Sequence, residues 1–402
     1  VFLLGSTPQG APRFSAPTSH VLVLGPPRSG KTTGFVIPNV CLFPGAVIAT
    51  STKLDLAEAV VARLGDERRV LAFDPSGELE LDPRIARVRW SPVAQASSLR
   101  AATLMAESFV ATALGDPGGS ERHWVDRAKA LLAPLLLAAH LGCGEMEQVA
   151  AWVDRRELAE PLGTLTLAGE ERAVEVLASV LASEPRERSA ILSSTSAALA
   201  AYRYPVGRAD VEFVPERFLE SRDLLLIVSP ALVQRVVAPV VVALIESVAQ
   251  AAYVRAQAGR PARVALVLDE MANIAPLPSL GSLLSEGASQ GVHLLGALQD
   301  LTQARARWPR LAPGLLTLFG TTVVLGGIGD LETLRLVEEL AGRREELEQS
   351  WQIGGLRTRS RSLHRVRRPR FDRERVRGLR SGEALVLELR GETGIVRLEE
   401  VG

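Results

Sequence analysis

Short, unbroken apolar runs recur along this chain at helix-sized intervals. Residues 20–24, 46–50 and 70–73 form a first group, and residues 223–228, 264–268 and 292–298 a second. Runs that are apolar throughout, rather than alternating, predict strands buried on both faces. Helix-length spacers between them predict βαβ units and a mostly parallel sheet. From Leu99 to Tyr202 the pattern changes to alanine and leucine at helical spacing, with breaks at 115–120, 142–144 and 184–185 and no β-branched run. This predicts an all-helical insertion whose longest helix begins at His123, with Trp124 packed in its core or, as the lesser reading, contacting a partner. Later come a long apolar helix over 236–256, a helix over 280–286, an apolar stretch over 311–324 that runs into a strand, and a helix over 330–341. A closing hairpin is expected over 383–401 around Gly391, and residues 1–18 read as an extended lead-in. The expected organisation is therefore α/β, with a first part at 1–98, an all-α insertion at 99–207 and a second α/β part at 208–402.

The loop after the first strand carries the clearest chemistry. Gly25, Pro26, Pro27, Arg28, Ser29, Gly30, Lys31 and Thr32 lie between the apolar run and a helix-like segment from Thr33 to Ile37. This strand, glycine-rich loop and helix are the setting of a phosphate-binding loop. Gly25 and Gly30 would let backbone N–H groups close on phosphate oxygens, where a Cβ would obstruct them. Lys31 would reach the β and γ phosphates, the Thr32 hydroxyl would bind Mg²⁺, and the helix that Thr33 opens would add its positive end to the same anion. The chain holds three lysines against 43 arginines, so a lysine falling here by accident is improbable. Ligands collect at the carboxyl ends of parallel strands, which groups this loop with Lys53 and Asp74, each just past a predicted strand. Ser51 or Thr52 is expected to cap the helix beginning near Leu54.

A second landmark closes the run 264–268. A hydrophobic strand ending in Asp269 and Glu270 is the Walker B arrangement, in which Asp269 would bind Mg²⁺ directly or through water and Glu270 would polarise the attacking water. Gln299, at the tip of the next strand, is placed to sense the γ-phosphate or orient that water. The pattern thus calls for ATP and Mg²⁺.

Composition adds limits. Hydrophobic residues make up 47% and charged residues 23%, ordinary for a globular protein, and net charge is zero, so any nucleic-acid contact must come from a local patch. Arg357, Arg359, Arg361, Arg365, Arg367, Arg368 and Arg370 make such a patch. It would either track nucleic-acid phosphates or form a solvated arginine-rich hairpin or loop. Cys41 and Cys143 have neither metal-ligand spacing nor framework density and are expected to be free, buried thiols in a reducing compartment. No run of 18 uninterrupted apolar residues occurs; the stretches 130–141 and 236–245 read as core helices, and the chain is expected not to cross a membrane. There is no internal repeat.

The order of these motifs resembles the type IV secretion coupling ATPases of conjugation (TraG-type), within the FtsK/HerA group of RecA-like motors. The resemblance spans nearly the whole chain. It rests on GPPRSGKTTGFVIPNV, STKLDL, FDP at Phe73, WSP at Trp90, LVLDEMANIAPLPSL, SEGASQGVHLLGALQDLTQARARW and RRPRFDRERVRGLRSGEALVL. It implies a RecA-like P-loop ATPase whose hydrolysis drives DNA, in particular single-stranded DNA, or a nucleoprotein into a type IV secretion channel. Lys31, Thr32, Asp269, Glu270 and Gln299 would keep the nucleotide roles given above. The insertion would match the family's all-alpha domain, associated with recognising a relaxase or other protein cargo, and the assembled form would be a hexameric ring. The family's membrane-spanning N-terminus has no counterpart here. A cytoplasmic portion is therefore implied, monomeric in isolation or held at the inner membrane face through an anchor absent from this sequence. Many relatives carry an arginine finger where this sequence has Ala288, which leaves Arg305 and Arg307 as the nearest substitutes, or feeble hydrolysis. Two other readings remain: a motor for protein secretion, and a nucleotide-gated docking platform that hydrolyses little.

Overall fold

The computed structural model describes residues 1–115, 121–203, 209, 211–354, 358–389 and 391–398, except for the side chains of 348–364. In chain order it begins with strands β1 (Leu3–Ser6), β2 (Pro12–Phe14) and β3 (His20–Leu24), then helix α1 (Ile37–Leu42). Next come β4 (Ala46–Ser51), α2 (Asp55–Leu64), β5 (Val70–Phe73), β6 (Ile85–Arg89) and α3 (Pro92–Gln95). Six helices follow: α4 (Leu99–Leu114), α5 (Glu121–Leu141), α6 (Met146–Arg155), α7 (Ala159–Leu167), α8 (Glu171–Leu181) and α9 (Pro185–Ala198). The chain continues through β7 (Val211–Glu212), α10 (Pro215–Phe218), β8 (Leu224–Val228), α11 (Gln234–Gln257), β9 (Val264–Leu268), α12 (Met271–Ile274), α13 (Leu280–Glu286) and β10 (Val292–Leu298). It closes with α14 (Leu301–Arg307), α15 (Leu315–Phe319), β11 (Gly320–Leu325), α16 (Leu331–Ala341), β12 (Arg343–Gly354), β13 (Thr358–Pro369), α17 (Arg373–Arg377), β14 (Glu383–Glu388) and β15 (Gly394–Arg397).

The chain folds as two compact units. One comprises 39–296 with Val1, the other 2–38 and 297–402. In the first unit the strands run β10-β9-β4-β8-β5-β6-β7, every neighbouring pair parallel. Residues of β4, β8 and β9 are buried throughout, as continuous apolar runs require of strands covered on both faces. Helix α11 is long and apolar enough to span a bilayer, yet 78% of its apolar window is buried within the structure, which is the behaviour of a core helix. Helices α4 and α5 pack along each other, and α5 also meets α6, α7, α8 and α9. Ser98 caps α4, its Oγ accepting from the Ala101 N–H at 3.3 Å. Arg68 ties the unit together: its guanidinium donates to the carbonyls of Val40, Phe43, Gly45 and Arg222 at 2.6–3.1 Å.

In the second unit the strands run β2-β1-β15-β14-β11-β3; β3 and β11 are parallel, and the other pairs antiparallel. Apart from this sheet, β12 and β13 form a two-stranded ribbon in continuous register from Arg343↔Pro369 to Gly354↔Thr358. Asp330 and Asp372 cap α16 and α17, accepting from the N–H groups of Thr333 and Arg375.

Several expectations need correction. Residues 1–18 are not a simple lead-in, since β1 and β2 add to the sheet. They were hidden because strands this short, one opening on Pro12, carry little apolar signal. The longest insertion helix starts at Glu121, and Trp124 is half-buried on its first turn, its ring edge-on to His123 at 5.0 Å rather than in the core. Residues 116–120 and 204–208, within or beside the expected insertion, lie outside the described residues. Helix α2 has Leu54 at its cap position with no side-chain bond; Ser51 Oγ instead accepts from the Lys53 N–H at 3.2 Å, closing the turn after β4. Both cysteines are free, but Cys41 is half-buried and Cys143 exposed, not buried.

Candidate nucleotide site

In the second unit, β3 runs buried into the loop 25–31 and the chain then turns directly into helix. The Gly25 N–H donates to the carbonyl of Leu298, a residue of the same unit, at 3.1 Å, which fastens the start of the loop. A Cβ on Gly25 would lie 2.6 Å from Ser29 Oγ and 2.9 Å from Leu325 Cδ1, so only glycine allows this close approach. Arg28 (φ 63°) and Gly30 (φ 89°) both take the left-handed conformation, which costs Arg28 on the order of 1 kcal/mol. Alternating backbone handedness is the geometry that gathers successive N–H groups into an anion-binding concavity. Ser29 Oγ is buried beside Gly25 without a hydrogen-bond partner. Lys31 is buried, and its ammonium donates to the carbonyls of Gly25 at 2.7 Å and Pro26 at 2.9 Å. Its charge is thus held over the loop's own beginning rather than out in solvent. Pro26 is half-buried, while Pro27 and Arg28 are exposed.

The helix after the loop opens with a wide π-type turn over Thr32–Val36, the N–H of Ile37 reaching back to the Thr32 carbonyl. Pro38 accounts for it: the ring lacks an N–H and crowds the carbonyl of residue 34, so the turn before it cannot close normally. Thr32 is half-buried and Thr33 exposed, its hydroxyl 3.5 Å from the Gly30 carbonyl. A Cβ on Gly34 would lie 2.8 Å from Leu398 Cδ1, which packs the helix start against the chain's closing segment. Gln299 follows Leu298, so it is one residue from the carbonyl that anchors Gly25. Its own N–H donates to Gln303 Oε1 at 2.9 Å, and Asp300 caps α14.

The first unit carries the acidic pair. Asp269 is buried at the end of β9, and Thr50 of neighbouring β4 donates its hydroxyl to the Asp269 carbonyl at 2.9 Å. Because β4 and β9 are parallel, with Thr50 opposite Leu268, Lys53 and the pair leave the same edge of that sheet. Asp269 Oδ1 accepts from the Glu270 N–H at 3.0 Å. Glu270 is left-handed (φ 52°, ψ 42°), and Asn273 Nδ2 donates to its Oε2 at 3.0 Å. A non-glycine residue in that conformation is costly and is tolerated where the surroundings enforce it. Asn273 was not singled out from the sequence, although its three-residue spacing from Glu270 at a helix start is the signal that would have found it. Asp74, by contrast, is fully engaged: its carboxylate accepts from Ser76, Gly77, Leu79 and Arg87, so it holds the turn after β5. Arg305 is paired with Asp330 at 2.8 Å and Glu332 at 3.0 Å, whereas Arg307 is exposed. Ala288 sits half-buried on the turn before β10.

A mostly parallel sheet with flanking helices, a glycine-rich loop passing from buried strand to helix and an acidic pair ending another buried strand define a RecA-like P-loop fold with a helical domain. Within that class, the family model for type IV secretory system conjugative DNA transfer matches residues 2–392, and the chain belongs to that family. The conjugal transfer protein TraG of Escherichia coli is 25% identical over 73% of the chain. The chain spans about half the length of that relative, 50%. Among solved structures, the bacterial conjugative coupling protein TrwBdeltaN70 in its unbound form superposes with a TM-score of 0.75 at 21% identity, covering 98% of this chain and 89% of that one. TrwB in complex with ADP and Mg²⁺ gives 0.73 at 20% identity, covering 99% and 89%. VirB4 of Thermoanaerobacter pseudethanolicus gives 0.52 at 16% identity, covering 99% and 96%.

Proposed function

We propose that this chain is the nucleotide-driven portion of a conjugative coupling protein, hydrolysing ATP to move DNA or a nucleoprotein into a type IV secretion channel. The observation that carries the reading is the loop itself: Gly25 where no Cβ fits, left-handed Arg28 and Gly30 on either side of Ser29, and the Lys31 ammonium over the loop. These features fit a polyphosphate. Backbone N–H groups of 28–32 would hold phosphate oxygens, with Lys31 exchanging its two carbonyls for the β and γ oxygens. Thr32 and Asp269 would hold Mg²⁺, which when bound offsets charge on the phosphate oxygens. Glu270 would take a proton from the attacking water as its oxygen bonds to the γ-phosphorus and the bond to ADP breaks. Gln299 would orient that water. Asn273 would keep the Glu270 carboxylate aimed.

Residues 99–207 would serve as the cargo-recognising insertion between nucleotide-binding parts at 1–98 and 208–402. The working form would be a ring, with hexameric assembly at the cytoplasmic face of the membrane, held by an anchor outside this sequence. The decisive experiment measures Mg·ATP uptake by calorimetry alongside phosphate release. Wild type should bind and turn over, with a rate that rises cooperatively with protein concentration and with added single-stranded DNA. Lys31→Ala should lose binding, and Glu270→Gln should bind normally yet release no phosphate. Unchanged turnover in Glu270→Gln would remove it as the base. A rate indifferent to DNA would favour a protein-secretion motor.

One observation favours a second reading. With Ala288 in place of an arginine and Arg305 committed to Asp330 and Glu332, Arg307 is the exposed arginine left of the two substitutes. If Arg307→Ala leaves the assembled rate unchanged and low, the chain acts as a nucleotide-gated docking platform.

A further inference from the structure

Gln299 and Asp300 are the two residues between β10 and α14. The Gln299 side-chain amide makes no hydrogen bond among the described residues, so its direction is set by the backbone beneath it. That backbone is held from α14: the Gln299 N–H donates to Gln303 Oε1, one turn along the helix, at 2.9 Å. The first N–H of the helix itself, that of Leu301, is satisfied from elsewhere in the second unit. It donates to Thr333 Oγ1 of α16 at 3.1 Å, and Thr333 is 0% exposed.

The hydroxyl has a fixed polarity. Asp330 Oδ2 accepts from the Thr333 hydroxyl at 2.5 Å, from the Thr333 N–H at 3.0 Å and from Arg305 Nη2 at 2.8 Å. Burial alone would raise the Asp330 pKa, but the bonds from Thr333 and Arg305 outweigh it and hold the carboxyl below its ordinary value. An ionised carboxylate only accepts, so Thr333 gives its proton to Asp330 and keeps its lone pairs for the Leu301 N–H. Arg305 is itself on α14. The bonds from Leu301 through Thr333 and Asp330 to Arg305 therefore form a closed ring that clasps α14 at its first turn and its last. The chain that leads from β11 into this ring also touches the phosphate loop, since a Cβ on Gly327 would lie 3.2 Å from Pro26 Cγ.

We infer that Thr333, Asp330 and Arg305 are positioning residues for hydrolysis: they fix the start of α14 and through it aim the Gln299 amide at the attacking water. The inference rests on the proposed role of Gln299. It gives Arg305 a duty within its own subunit in place of a reach toward a neighbour's nucleotide. None of the three belongs to the phosphate loop, so nucleotide affinity should not depend on them.

The test measures phosphate release by the full chain beside Mg·ATP affinity by calorimetry. Thr333→Val removes the hydroxyl and leaves the buried Leu301 N–H without its acceptor. It should lower kcat about tenfold or more with the Kd for Mg·ATP within about twofold of wild type, and Thr333→Ser, which keeps the hydroxyl, should restore kcat to within about threefold. The deciding background is Gln299→Ala. That variant should be slow by itself, and adding Thr333→Val should slow it no further, because the corner being aimed no longer carries an amide. Arg305→Met, at a side chain 33% exposed, opens the ring without opening the core and should show the same pattern with a smaller loss. Losses that multiply in the double variants would make the ring a structural brace, or Arg305 a finger, and would overturn the inference. So would a Thr333→Val as fast as wild type beside a slow Gln299→Ala, or a fall in Mg·ATP affinity as large as the fall in kcat. A wild type that releases no phosphate, or a Gln299→Ala as fast as wild type, would strike at the proposed function itself and carry the inference down with it.

Discussion

Single atoms decide two features of the loop and the acidic pair. Adding one carbon at Gly25 places it 2.6 Å from Ser29 Oγ and 2.9 Å from a Leu325 methyl, both inside contact distance, so the loop must move off its phosphate-ready shape. Gly25→Ala should therefore weaken Mg·ATP binding at least tenfold in calorimetry, with a far smaller change in melting temperature than a core substitution gives. Asn273→Ala removes the one side-chain donor described on Glu270 Oε2. A hydrogen bond to a carboxylate is worth about 1.5 kcal/mol or more, which translates into roughly a tenfold fall in turnover. Because Asn273 acts through Glu270 and not on phosphate, the affinity for Mg·ATP should stay as in wild type, and Asn273→Asp should not rescue.

At the scale of elements, Arg68 is the residue whose loss should be felt most widely. It satisfies four backbone carbonyls drawn from the end of α1, the turn before β4 and the turn before β8. Arg68→Ala leaves them without that donor and should cost about 3 kcal/mol or more, read as a shifted denaturant midpoint. Which elements could be read from sequence follows the same physics. Strands buried on both faces, such as β3 and β10, and helix α13 are legible because burial demands unbroken or periodic apolar residues, and all three occur at the expected bounds. Strand β6, Ile-Ala-Arg-Val-Arg, passed unnoticed because it alternates with charge toward the sheet's margin. The loop and acidic pair announce themselves through fixed spacing. Asn273 and Arg68 do not, because their roles arise from what surrounds them after folding.

At the scale of the whole molecule, pH and chain connectivity matter. Burial against Phe43, reinforced by the Val1 ammonium and Arg263, lowers the His293 pKa from 6.5 to about 4. The folded state therefore prefers the neutral ring, and its stabilising contribution is whole above pH 6.5 and lost as pH falls toward 4, because the unfolded chain takes up the proton first. Urea midpoints should decline across that interval, and His293→Leu should flatten the decline by up to one proton's worth of slope. The connectivity sets a further condition. Strand β3 pairs with β11, and β1 with β15, Ser6 opposite Arg397. The phosphate loop therefore leaves the ribosome well before the strands that brace it exist, and it must wait, uncommitted, until β11 and β15 have been made. Nascent chains halted before residue 320 should leave this stretch open to protease and attractive to chaperones, while those extended well past residue 397 close it.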